Sequence, residues 1–155
     1  MSRHTQFQNN KYTVLIPNAV VKTAGTVDTA TFVPVTGFES HAVLFNIGTV
    51  NAGSIAQLAV LLASGTSGAG TVVVTGGSLA TGDITGGTTS GLWGIEFKTN
   101  ALYGGTAPFN GTVYIGARIV TNTGGSVFAS AILEQTNARN LPTSNNLAGS
   151  ILKLT

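Results

Sequence analysis

Apolar and polar residues alternate along this chain in short runs, and glycine punctuates nearly every run. Tyr12–Pro17 (YTVLIP) reads as a short strand that Pro17 should end, with Asn18–Lys22 continuing it or forming an edge. Thr31–Val35 is a second extended stretch. His41–Val50 places Ala42, Leu44 and Asn46 on one face and Val43, Phe45 and Ile47 on the other. Both faces are largely apolar, which predicts a central strand. Ile55–Ala63 has the Ala and Leu content of a helix, but Gly53 and Gly65 confine it to strand length, and a strand is expected. Gly70–Thr75 is a β-branched run. Leu92–Lys98 sends Trp93, Ile95 and Phe97 one way and Glu96 and Lys98 the other. Gly111–Asn122 and Ser126–Gln135 predict a hairpin turning at Thr123-Gly124-Gly125.

Between these runs, Gly76–Gly91 and Tyr103–Asn110 read as long loops, the first rich in Gly, Thr and Ser. About eight strands with turn signals every ten or so residues, and no βα alternation, predict an all-β fold. The expected architecture is a single antiparallel β-sandwich, jelly-roll-like, over residues 12–135. Gly-Thr-Val recurs at 25, 48, 70 and 111, but its uneven spacing indicates strand-entry chemistry and not a solenoid repeat. Residues 1–11 and 136–155 differ from the middle: both are polar, and the second carries isolated apolar anchors. They read as extended N- and C-terminal arms suited to lying across a neighbouring subunit.

Composition narrows the function. Of the 155 residues only 8% are charged, and seven Lys and Arg against five Asp and Glu leave a net charge of +2. Seven scattered cations are too few for the phosphate-neutralising face of a nucleic-acid binder. The absence of Cys excludes a disulfide-stapled scaffold, and 43% hydrophobic residues argue against intrinsic disorder. No apolar segment follows Arg3 as in a signal peptide, and no run approaches the roughly 20 residues of a membrane helix. The expectation is a protein made in the cytoplasm that binds neither membrane nor nucleic acid.

Catalytic chemistry is sparse. Asp28, Glu39, Asp83, Glu96 and Glu134 are widely separated, so a carboxylate pair would have to be assembled by the fold. In Glu39-Ser40-His41, neighbouring strand residues face apart, which argues against a nucleophile–base pair and predicts surface or turn positions. Two His and no Cys leave little for zinc, and Asp83 is a lone loop carboxylate with no EF-hand around it. The glycine-rich loops contain no phosphate-binding motif. Trp93, Tyr103, Phe109 and Tyr114 form a candidate sugar-stacking platform, with core packing as the commoner role of such residues. No catalytic residue, metal ligand or cofactor is assigned, and the chain is not expected to be an enzyme. Its low charge, long loops and apolar tail anchors favour assembly instead.

Three segments carry a family resemblance. They are Met1-Ser2-Arg3-His4-Thr5-Gln6-Phe7-Gln8-Asn9-Asn10 continuing through Tyr12-Thr13-Val14-Leu15-Ile16-Pro17-Asn18-Ala19, then Gly25-Thr26-Val27-Asp28-Thr29, and the closing Ala131-Ile132-Leu133 with Asn137-Ala138-Arg139-Asn140-Leu141-Pro142. Together they resemble small structural proteins encoded near the head genes of tailed bacteriophages, of the capsid decoration (cement) type. The resemblance spans about half of the chain, and the long Gly/Thr loops depart from it. It implies a β-sandwich that binds the exterior of an expanded capsid and bridges capsomers, with the major capsid protein and copies of itself, as a homo-dimer or homo-trimer, for partners. The arms would make those contacts through Arg3, His4, Phe7 and Lys11 at one end and Arg139, Leu141, Leu147, Ile151, Leu152 and Leu154 at the other. Alternatives are another virion component, such as a jelly-roll capsid subunit, tail or vertex protein, and a carbohydrate-binding β-module.

Overall fold

The computed structural model describes residues 10–48, 55–80, 91–103 and 111–138. Its elements are β1 (Lys11–Asp28), β2 (Val33–Pro34), β3 (Ser40–Ile47), β4 (Ile55–Ala63), β5 (Val72–Ala80), β6 (Gly91–Lys98), the short helix α1 (Thr99–Tyr103) and β7 (Tyr114–Thr136). Every strand pairing is antiparallel, in the order β5-β4-β7-β3-β6, with β1 and β2 also on β7.

The architecture is a β-sandwich made by folding one sheet double. The first half of β7 pairs with β4 (Tyr114↔Ala63 to Thr121↔Ile55), and its second half pairs with β3 (Ala129↔Ile47 to Thr136↔Ser40). β1 follows β7 along both halves, from Lys11↔Gln135 to Asp28↔Arg118. β5 extends the β4 half and β6 extends the β3 half. Two antiparallel sheets therefore face each other and share their longest strands, which pass from one sheet to the other at a bend. Sheet I holds β5, β4, β2 and the Tyr114 half of β7; sheet II holds β6, β3 and the Thr136 half.

The core lies between them. Leu58, Val60, Ile115 and Ile119 of sheet I meet Val43, Phe45, Ile47 and Leu133 of sheet II, all at most 2% exposed. Each such side chain contributes roughly 1.5–3 kcal/mol by leaving water. The buried Thr29 hydroxyl donates to the Leu15 carbonyl at 2.8 Å, tying the residue after β1 back to that strand's first half.

The all-β sandwich agrees with the sequence, but several local expectations do not survive. Gly111–Asn122 and Ser126–Gln135 do not form a hairpin: β7 is a single 23-residue strand through Thr123-Gly124-Gly125. Both flanks prefer β1 as partner, and glycine in a strand commonly marks a bend between sheets. Pro17 does not end a strand either. It sits where the register of β1 jumps from Ile16↔Ala131 to Val20↔Ala129, on an edge where no ladder donor is needed. The expected loop from Gly76 begins inside β5, which runs to Ala80, and Tyr103 closes α1 instead of opening a loop.

Candidate functional site

At the end away from the bend, the folded sheet must be held shut, and polar side chains do this. His41 leads β3, and its parity with Val43, Phe45 and Ile47 sends it inward. It is 1% exposed and stacks on Phe97 of β6, with ring centroids 5.5 Å apart and 18° between planes. The expectation that Glu39-Ser40-His41 is a surface turn fails for the histidine for that reason. The Thr99 hydroxyl donates to the Phe38 carbonyl at 2.7 Å, so it accepts from His41 Nε2–H, also at 2.7 Å. His41 Nδ1 is then a lone pair, and it accepts from Gln135 Nε2 at 3.3 Å. Gln135 Nε2 also donates to the Pro34 carbonyl at 3.1 Å, joining the end of sheet II to the end of sheet I. The Thr99 backbone N–H donates to the Glu39 carbonyl at 2.9 Å, fixing the start of α1.

This network holds a neutral imidazole. Burial lowers the His41 pKa from 6.5 to about 4. Protonation would put a donor on Nδ1 facing the Gln135 amide. Gln135 Oε1, buried and without a hydrogen-bond partner among the described residues, could accept only if the amide turned and gave up Pro34. The arrangement suits a structural clasp, since both ring nitrogens are committed to neighbours.

Among the described residues the carboxylates do not converge. Asp28 takes two 2.7 Å hydrogen bonds from Arg118, which raise the arginine pKa. Glu134 accepts from the Tyr12 hydroxyl at 2.7 Å and from Asn10 Nδ2 at 2.9 Å. Glu96 stands on the far side of Ala42 from Glu134, two strands away on an open sheet face. Among the described residues no three His, Cys, Asp or Glu gather to hold a metal ion. Asp83 lies outside the described residues. Trp93 faces the core from sheet II, whereas Tyr114 packs on Phe32, Leu61 and Ala63 outside sheet I. Those two do not form a common stacking platform; Phe109 and the Tyr103 side chain lie outside what is described. A cavity of about 150 Å³ sits between β5 and β6, lined mainly by Leu62, Val73, Val74, Ile95, Phe97 and Leu102.

The outer face of sheet II is the other notable feature. Cross-strand registers align Val14, Ile132, Leu44 and Gly94 in one row, with Tyr12, Glu134, Ala42 and Glu96 in the next. Val14 is 46% exposed, Leu92 66% and Phe128 62%. Ile132 and Leu44 between them are half-buried. Exposed apolar side chains thus stand on this sheet face beside the polar Tyr12, Asn46, Glu96, Lys98 and Glu134. Sequence reading missed this surface because both faces of β3 are apolar, and the alternation does not say which face is covered.

Of the arm residues proposed as contacts, Lys11 is described, and it opens β1 opposite Gln135 instead of lying in a separate arm. Arg3, His4, Phe7, Arg139, Leu141, Leu147, Ile151, Leu152 and Leu154 lie outside the described residues. Among the described residues no helix is long and apolar enough to cross a membrane. Comparison with known protein families and with curated proteins finds no match to this chain.

Proposed function

We propose that this protein is a virion structural component, a capsid decoration protein that binds the outside of a phage head and bridges capsomers. The observation that carries the reading is the outer face of sheet II, where Val14, Leu92 and Phe128 stand exposed with no cover among the described residues, on a chain of very low charge. Such a face loses free energy to water until a partner covers it, and low charge spares the contact the desolvation of buried ions. The rest of the described chain supports a scaffold role: His41, Gln135, Glu134 and Asp28 are all engaged in structural hydrogen bonds. A bridging protein repeated over a lattice adds contact area at every seam, and an oligomer gains avidity from linked sites. The resemblance of the terminal segments to head-associated phage proteins points the same way.

The test is the copy number of this chain, by quantitative mass spectrometry, in purified virions of the phage that carries its gene. Parity with the major capsid protein, or a simple fraction of it, supports lattice-wide cement. A handful of copies per particle would move the protein to a tail or vertex, and its absence would refute a virion role.

A further inference from the structure

The described strands present three sheet edges, and they are guarded differently. β1 carries Pro17 and three register shifts. β5 is interrupted by a register shift opposite Ala59 and Leu61 and by Gly76 at a φ of 72°. Proline, bulges and kinks of this kind block the addition of another strand. β6 has none of them. It pairs with β3 in unbroken register from Ser40↔Lys98 to Ile47↔Gly91, and it contains neither proline nor a positive-φ glycine. Exposed and half-buried residues alternate strictly along it.

We propose that β6 is a homodimer edge, pairing antiparallel with β6 of a second copy about a two-fold axis at Ile95. The sequence of the strand matches itself in that register. Leu92 falls opposite the partner's Lys98, whose aliphatic stem covers it while the ammonium stays in water. Gly94 falls opposite the partner's Glu96, so the longer side chain meets a position with none. On the inner face Trp93 falls opposite the partner's Phe97, an aromatic cross-strand pair made twice. Ile95 meets its own copy on the axis. The cavity between β5 and β6 opens beside this edge, and an added strand lies across it. Pairing makes one continuous sheet from two copies of sheet II and joins their apolar outer faces into one surface. This deepens the structural reading above and rests on it for its biological use. Dimerisation is measured on isolated protein and copy number on particles, so the two ideas fail separately.

Analytical ultracentrifugation of the full chain tests it. The wild type should sediment as a concentration-dependent dimer of twice 15.7 kDa. Leu92 is 66% exposed, so its replacement leaves the monomer fold intact. Leu92→Lys sets like charges directly opposite at both ends of the pairing and should weaken the dimer by about tenfold or more. Leu92→Glu faces the partner's Lys98 and should preserve or tighten it. Lys98→Glu added to Leu92→Lys should restore it. A wild type that stays monomeric at every concentration overturns the proposal. So does a trimer, or Lys and Glu at position 92 shifting the equilibrium in the same direction.

Discussion

The two sheets have opposite outer surfaces, although both present apolar residues there. Outside sheet I, Leu61 and Ala63 are fully buried because the chain covers them itself. Residues between β1 and β2 bulge outward, and the Phe32 ring lies over Leu61, Ala63 and Tyr114. That ring needs bare backbone beneath it. A Cβ on Gly116 would stand 2.5 Å from Phe32 Cε1, and one on Gly68 would stand 2.7 Å from Phe32 Cε2. The Phe32 N–H donates to the Thr66 carbonyl at 2.9 Å, which fixes the bulge. Outside sheet II, Val14, Leu92 and Phe128 have no such cover among the described residues. Apolar residues outside sheet I thus complete the fold, whereas those outside sheet II stay exposed.

Breaking the covered side should cost most. Phe32→Ala removes the lid from Leu61 and Ala63 and should lower stability by roughly 3–5 kcal/mol in urea unfolding. Acid should loosen the clasp next. The native His41 pKa of about 4 lies below the unfolded value of 6.5, so the unfolded chain takes the proton first. The clasp's stabilisation is complete above pH 6.5, and about 3 kcal/mol of it is lost as the pH falls to about 4. In His41→Gln that part of the pH dependence should vanish, leaving a flatter profile between those limits. Gly116→Ala drives a methyl into the Thr29 side chain and the Phe32 ring and should cost about 1–3 kcal/mol. The uncovered side should be nearly silent: Val14→Ser and Phe128→Ser should each change stability by no more than about 0.5 kcal/mol.

Alternation made much of this fold legible. Leu92–Lys98 and the inward trio Val43, Phe45 and Ile47 follow period-two patterning, and the same parity extended by two residues places His41 inside. That signal was present in the sequence, but histidine's usual surface preference hid it. Gly124-Gly125 and Pro17 misled for a different reason. Both are local turn signals, and their meaning depends on a partner strand more than ninety residues away in sequence. When one long strand serves two sheets, glycine permits the bend and proline occupies an edge position that needs no donor. The sheet II surface is the least legible part, because alternation marks Leu44 and Leu92 as apolar without saying which face of the sheet another segment covers.

On the proposed function, the exposed outer face of sheet II is the surface that binds the particle. Particles that lack this chain can be incubated with purified variants, and occupancy read by mass spectrometry. Val14→Ser combined with Phe128→Ser should abolish binding while the thermal unfolding midpoint stays near that of the wild type. Arg118→Ser, on the outer side of sheet I, should leave occupancy unchanged. Full occupancy of the double variant, or loss of binding through Arg118 alone, would contradict it.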